Sequence, residues 1–333
     1  MDVSAYKNKI FFRADAGYNI GYGHFVRTLA LADMLKKNFE CTFFTCHPTD
    51  CQISEMAKVC PYVALEEQTH YDTFLSLLHG DEIVVLDNYF FTTDYQRQIK
   101  AKGCRLVCID DMHDKHYVAD LVINHAPGIK TSDFSCEPYT KLCLGTDYLL
   151  LRKAFFEAAN RSETIRENSI FICFGGSDEN NLTLNACKII RGLTNRLITV
   201  VVGGGYQYLD ELKQFSENNP LKIHSNVDAY EMVNILLAST LAIVPASTML
   251  LEACCTRIPI ITGYDVDNQQ FMAENCGNLA VAYNCGNLCV DFEEKLKTAF
   301  ERMNSGLGEN YVEKQKELMT DSTDRLIQQF KLL

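Results

Sequence analysis

Positive charge is scarce in this sequence. Its 31 lysines and arginines face 43 aspartates and glutamates, for a net charge of −12. A protein held on nucleic acid by phosphate contacts needs a basic face, so the balance argues against that class. It also disfavours a polybasic membrane surface. No apolar run reaches the ~18 residues of a spanning helix. The start, MDVSAYKNKIFF, has neither the charged region nor the long apolar core of a secretory signal. These absences predict a cytoplasmic chain with no stable membrane association and no nucleic-acid partner.

Other gaps exclude whole chemistries. No C-x-x-C pair occurs among the 15 cysteines, an odd number, so the spacings of zinc and redox sites are missing. Cys108 in RLVCID, Cys173 in IFICFGG and the pair Cys254-Cys255 in LEACCTR sit in apolar stretches. They read as reduced thiols acting as small buried hydrophobes. No G-x-x-x-x-G-K-[ST] loop is present. The cluster Gly203-Gly204-Gly205 follows the strand-like LITVVV, but Tyr208 stands where G-x-G-x-x-G needs its last glycine. No acidic residue ends the next strand to hold a ribose in the dinucleotide manner. A Rossmann-type NAD site is therefore not expected.

What the chain does have is a repeated alternation. Its 333 residues, 47% hydrophobic and 22% charged, suit about two domains. Strand-like runs at Lys9–Arg13, Cys41–Cys46, Glu82–Asp87, Arg105–Asp110 and Leu121–Asn124 alternate with helical patterns such as Thr28–Lys37 and Tyr95–Lys102. A second series follows, with strands at Ser169–Phe174, Ile198–Val202, Leu221–His224, Leu241–Val244 and Pro259–Thr262. Helices lie between them. Continuous apolar runs separated by helices indicate parallel sheets covered on both faces. The fold class is α/β. We expect a first domain over 1–152, a linker over 153–168, a second domain over 169–310 and a C-terminal helix over 311–333. Two such domains create a cleft, the default ligand site.

Several strand ends carry chemistry. Phe11–Lys37 reads as a strand, a glycine turn with Gly21 and Gly23, and a helix, with His24 at the junction. The unperturbed imidazole pKa of roughly 6.5 suits proton transfer, with Arg13 or Asp15 to orient the ring. A packed or capping histidine is the alternative. Gly175-Gly176-Ser177 ends another strand, where bare N–H groups and a helix start suit a phosphate. An ordinary turn capped by Ser177, Asp178 or Asn180 would look the same. Glu252 lies in the apolar helix MLLEACC that opens after Ser247-Thr248. Burying a carboxylate unbonded is costly, so a ribose diol or a salt bridge to Arg257 should hold it. Asn268 and Gln269 follow a strand and can read sugar hydroxyls and acetamido groups, or form a plain polar turn capped by Asp267. Asp87-Asn88-Tyr89 and Asp110-Asp111 also end strands. Asp110 and Asp111 with His113 and His116 are too weak a signal to predict a metal.

Taken together these segments resemble one family. The pattern R-A-D-x-G-x-x-I-G-x-G-H-x-x-R-x-L-x-L-A from Arg13 to Ala32 looks like its opening signature. Leu86-Asp87-Asn88-Tyr89, Ile109-Asp110-Asp111, Ile123-Asn124 and Gly145–Arg152 follow in the family's order. So do Phe174–Asp178, Ala246-Ser247-Thr248 with Glu252, and Asn268-Gln269. The likeness runs over about 280 residues. The family is that of UDP-2,4-diacetamido-2,4,6-trideoxy-β-L-altropyranose hydrolases of pseudaminic acid biosynthesis, with spore-coat polysaccharide relatives.

The resemblance implies the GT-B fold, two Rossmann-like parallel-sheet domains facing across a cleft. It implies a small-molecule UDP-sugar as substrate. Diphosphate would lie at Gly175, Gly176 and Ser177, and ribose at Glu252. Arg13, Asp15, Gly21, Gly23, Arg27, Asp87, Tyr89, Ser247, Asn268 and Gln269 would complete the substrate site. His24 would be the base that deprotonates water attacking the anomeric carbon, with inversion and without metal or cofactor. Asn88 stands where the family often has histidine. A glycosyltransferase of the same fold and a non-catalytic nucleotide-sugar binder are the alternatives.

Overall fold

A computed structural model describes residues 8–17, 21–161 and 166–333. Positions 1–7, 18–20 and 162–165 lie outside it, and with them part of the opening signature and of the expected linker. The chain forms two compact units. The first comprises the opening strand through Ala16, Tyr22–Leu150 and Asp321–Leu333; the second is Leu151–Thr320 with Gly17 and Gly21.

In the first unit the strands are β1 (Lys9–Ala14), β2 (Glu40–Cys46), β3 (Tyr62–Leu65), β4 (Ile83–Asp87), β5 (Arg105–Ile109), β7 (Leu121–Asn124) and β9 (Lys141–Leu144). They make one parallel sheet in the order β3-β2-β1-β4-β5-β7-β9. The two-residue strands β6 (His116–Tyr117) and β8 (Ser135–Cys136) pair separately. All five residues of β4 are buried, because helices cover both faces. Alternation along it sends Ile83 and Val85 into one core with Phe12, Leu31 and Leu35. Val84 and Leu86 enter the other, with Phe44, Phe74 and Ile99. Such period-2 partition is what a strand buried on two sides must do.

The second unit holds β10 (Ser169–Ile172), β11 (Leu197–Val202), β12 (Leu221–Ser225), β13 (Leu241–Pro245), β14 (Ile260–Tyr264) and β15 (Tyr283–Asn287). Their parallel order is β12-β11-β10-β13-β14-β15. Both sheets reverse their strand order once, between β1 and β4 in the first and between β10 and β13 in the second. Ligands of open α/β sheets bind at the carboxyl ends of the strands flanking such a reversal.

The tail departs from the sequence reading of one helix over 311–333. It is two helices, Gly308–Leu318 and Thr323–Lys331, and they serve different units. Gln315, fully buried, donates from Nε2 to the carbonyls of Ile258 and Val281 at 3.0 and 2.9 Å, which ties the first helix into the second unit. Leu326 and Phe330 of the other helix complete the core of the first unit, where Phe330 meets Phe39 edge-on. Burying each is worth about 1.5–3 kcal/mol. The buried Ser322 hydroxyl donates to the Leu149 carbonyl. The expected linker starts as a helix, Lys153–Ala159, packed within the second unit.

All fifteen cysteines are free thiols. Burial pushes the Cys173 thiol up to about 11 and raises Cys254 well above its ordinary range, so these thiols stay protonated and behave as small apolar groups. Among the described residues, no helix is long and apolar enough to cross a membrane.

Candidate functional site

The reversal in the first unit gathers charge around one carboxylate. Asp87 ends β4 and is fully buried. The helix Gly23–Leu35 begins earlier than its apolar pattern suggests and so takes His24 into its first turn. His24, Arg27 and Thr28 stand at i, i+3 and i+4, hence on one helical face, and all three reach Asp87. His24 Nδ1 lies 2.7 Å from Oδ1. Arg27 donates from Nε to Oδ2 at 2.7 Å and from Nη2 to Oδ1 at 2.6 Å. The Thr28 hydroxyl donates to Oδ2 at 2.8 Å. Arg27 also donates from Nη1 to Asp111 Oδ2 at 2.8 Å.

Proton bookkeeping fixes the histidine. Burial alone would raise the Asp87 pKa, but the Arg27 charge, the His24 ring and their hydrogen bonds hold it at about 2. Burial likewise opposes the charge on Arg27, yet Asp111 and Asp87 raise its pKa well above the ordinary value. Asp87 is therefore a carboxylate and only accepts. Nδ1 of His24 must carry the hydrogen that bonds it. The 3.0 Å approach of Arg27 Nη2 to that nitrogen is then a packing contact, since Arg27 also has only hydrogens to offer. In the neutral tautomer that this bond selects, Nε2 is the nitrogen with a lone pair. The Tyr89 ring meets the imidazole edge-on at 4.5 Å, and its hydroxyl donates to Asp111 at 3.2 Å. His24, Arg27, Tyr89, Asp110 and Asp111 line one pocket of this unit.

Four expected ligand-binding residues sit differently. Arg13 is fully buried. It donates to Asp15, to Nδ1 of His70 at 2.9 Å and to the Cys46 sulfur at 3.4 Å. Asp15 accepts in turn from the Cys46 backbone at 2.7 Å and from Thr45. The pair closes the end of β1 against β2 rather than facing a ligand or orienting His24. Asp87, with four donors on two oxygens, has no lone pair left for substrate, so it positions His24. Arg27 is directed onto two aspartates. Asp110 is held by Tyr117, Asn124 and the His113 backbone. Gly21 exchanges backbone hydrogen bonds with Gly17, the shorter 2.8 Å, and Gly23 opens the helix that carries His24.

The reversal in the second unit is built from backbone. Cys173–Asp178 leave the end of β10, with Gly175 at φ +89°, a conformation that favours glycine. Gly175, Gly176 and Ser177 are half-buried. Asp178 accepts from the Leu182 and Thr183 N–H groups, both at 2.8 Å, so the cap expected of this turn is Asp178. The three glycines after β11 have a packing role. A Cβ on Gly203 would lie 2.6 Å from the Gly176 Cα, and Gly205 N–H donates to the Gly176 carbonyl at 3.1 Å. One glycine turn thus supports the other.

Next to it, Ser247 caps the helix Thr248–Cys255 by accepting from Met249 N–H. Glu252, 3% exposed, meets Arg152 at both oxygens, with Nε at 2.7 Å and Nη2 at 2.8 Å. Arg257 is not its partner and donates instead to the carbonyls of Ala159 and Arg161. Asn268 and Gln269 lie half-buried in the first turn of the helix Asp267–Asn278. Asp267 is the first helical residue, and Val266 precedes it as the cap position. Gln269 Oε1 is a buried acceptor without a partner among the described residues. Asn180 donates to Asp265 at 3.3 Å, joining the loops after β10 and β14.

Sequence reasoning did not single out Arg152 or the Arg27–Asp111 pair. Each joins residues far apart in the chain, and only the strand order brings them together. A signal was present for Arg152, whose family motif ends on it.

No protein-family model matches the sequence. It is 28% identical over 281 residues to the uncharacterised protein MJ1062 of Methanocaldococcus jannaschii, covering 79% of this chain. The chain spans 57% of that relative's length. It is 26% identical over 278 residues to the UDP-2,4-diacetamido-2,4,6-trideoxy-β-L-altropyranose hydrolase of Campylobacter jejuni, covering 80% of this chain and 94% of that one. It is 24% identical to the spore coat polysaccharide biosynthesis protein SpsG of Bacillus subtilis, with 81% of each covered. Among solved structures, Acinetobacter baumannii MurG aligns with a TM-score of 0.67 at 13% identity, over 98% of this chain and all of that one. S. aureus MnaA with UDP aligns at 0.66 and 11%, over 97% of this chain and 96% of that one. These structures share the architecture of two parallel-sheet units described above. The chain has the GT-B fold and is similar in sequence to the Campylobacter altropyranose hydrolase and to SpsG.

Proposed function

We propose that the chain hydrolyses a UDP-linked 2,4-diacetamido-2,4,6-trideoxy sugar, releasing UDP and the free sugar. The observation that carries this reading is the pairing of His24 Nδ1 with the ionised Asp87. It leaves Nε2 as a base on a fixed ring. In the proposed step Nε2 takes a proton from water as the water oxygen bonds to the anomeric carbon. The bond from that carbon to the diphosphate oxygen breaks, and its electron pair leaves with UDP. Attack from the side opposite the leaving group inverts the configuration. Asp87 faces the imidazolium that forms. UDP is a good leaving group, so placing water and accommodating the departing charge suffice, and water is the only co-reactant.

The second unit would hold UDP. Backbone N–H groups of Gly175, Gly176 and Ser177 suit the diphosphate, and Arg152 adds a cation beside them. Glu252 would accept from the ribose hydroxyls while keeping Arg152. Ser247, Asn268 and Gln269 supply further polar contacts, and Tyr89 offers an exposed hydroxyl and ring to the sugar. The similarity to the Campylobacter altropyranose hydrolase supports the choice of donor.

NMR of a UDP-sugar panel with purified protein tests the reading. UDP and the inverted anomer should form without any acceptor. His24→Phe should lower turnover roughly 10²–10⁴-fold and keep UDP binding. Release only when an acceptor sugar or lipid is added would identify a glycosyltransferase instead, and tight UDP binding with no turnover a binding protein.

A further inference from the structure

Asn88 follows Asp87 at the end of β4 and is 8% exposed. Its Oδ1 accepts the Asp15 backbone N–H at 3.4 Å. A backbone nitrogen can only donate, so the contact orients the amide, oxygen toward Asp15 and nitrogen away from it. Nδ2 is buried and has no hydrogen-bond partner among the described residues. The same side chain lines the pocket that contains His24, Tyr89, Asp110 and Asp111. Of the side chains lining it, Asn88 is the one whose buried donor is left unpartnered. Buried polar groups are almost always bonded, and an unmet donor beside a base points to an acceptor brought by the ligand.

The other groups of the pocket narrow the kind of acceptor. Asp110 is taken up by Tyr117, Asn124 and the Met112 and His113 N–H groups, and Asp111, paired with Arg27, suits sugar hydroxyls and amide N–H groups as an acceptor. Arg27 is directed onto Asp87 and Asp111. Lys115 reaches the Tyr89 carbonyl. A carbonyl oxygen on the sugar therefore needs a different donor. Resting on the substrate class given above, we propose that Asn88 determines specificity: its Nδ2 donates to the carbonyl oxygen of an acetamido group of the sugar beside His24. A hydroxyl at the same ring carbon ends two bonds short of that oxygen and leaves Nδ2 unmet. A site built to bond a group rejects analogues that lack it.

The test compares kcat/KM for the diacetamido donor with two analogues, each having one acetamido group replaced by hydroxyl. Wild type should prefer the parent over one analogue roughly 10- to 100-fold. Asn88→Asp keeps the acceptor for Asp15 and the side-chain volume but loses the donor. Asn88→Leu loses the donor without adding charge. Both should lower kcat/KM for the parent donor more than for the discriminated analogue and so bring the ratio toward 1. A preserved ratio, or an equal fall for parent and analogue, overturns the role of Asn88 and leaves the hydrolase reading intact. A wild type that releases no UDP from any of the three donors overturns both.

Discussion

The two units place their candidate groups at the same point of the same kind of sheet, and fill that point in opposite ways. In the first, the reversal between β1 and β4 is crowded with side-chain charge. Arg27 is shared between Asp87 and Asp111, and His24 bonds the same Asp87 through Nδ1. In the second, the reversal between β10 and β13 is mostly bare backbone. Two glycine turns lean on each other, with one Arg152–Glu252 pair beside them. The fold dictates where a ligand meets each sheet, and local sequence decides what it meets. A preorganised charge network suits a proton transfer; exposed N–H groups suit a phosphate.

Changes on either side should therefore have separable effects. The largest is expected for Asp87→Asn. An amide can present either an oxygen or an NH₂ group to His24, so the histidine tautomer is no longer enforced. Turnover of the proposed donor should fall roughly 10²–10⁴-fold. Removing one partner of a buried ion network also costs about 3–5 kcal/mol, to be read by denaturant unfolding. Full activity in this variant would show that the charge network does not set up the base.

Gly203→Ala strikes the other unit. The new Cβ meets Gly176, and overpacking of this kind costs about 1–3 kcal/mol. UDP affinity measured by calorimetry should weaken, while kcat at saturating donor stays near wild type. A fall in kcat at unchanged affinity would erase the division between binding and chemistry.

The smallest effect concerns His125. Burial, aided by the Arg27 charge, lowers its pKa to about 3, and its Nδ1 accepts the Leu150 N–H at 3.1 Å. Between about pH 3 and the unfolded value of roughly 6.5, the unfolded chain binds a proton that the folded chain refuses. Stability from this group is thus complete above pH 6.5 and falls on acidification by about 1.4 kcal/mol per pH unit. His125→Gln keeps an acceptor for Leu150 and should flatten that slope in unfolding titrations between pH 4 and 7. Parallel slopes would refute the assignment.

The strands visible in the sequence were mostly inner ones buried on both faces, the exposed edge strand β12 being the exception. IVVLD and RLVCI are unbroken apolar runs because helices cover them from two sides. The strands that escaped notice, β3 (YVAL), β9 (KLCL) and β15 (YNCGN), all lie at sheet edges. Three of the four β3 residues are exposed, so no apolar run marks it. The positions of candidate residues were legible where a motif follows a strand, as at Asp87 and Gly175. Partnership was not. Nothing local tells Glu252 that Arg152 rather than Arg257 will hold it. Nor does the sequence near Arg13 reveal that its charge is enclosed by Asp15 and His70.

The last helix adds a constraint in time. Leu326 and Phe330 belong to the core of the first unit, yet the whole second unit is translated before them. Domains commonly fold in the order in which they emerge. Here the unit begun first is finished last, and its apolar face around Phe39 waits uncovered while some 170 residues are added. A nascent chain would thus carry a folded second unit beside an unfinished first one, and the helix that bears His24 would rest on a settled core only after Phe330 had been added.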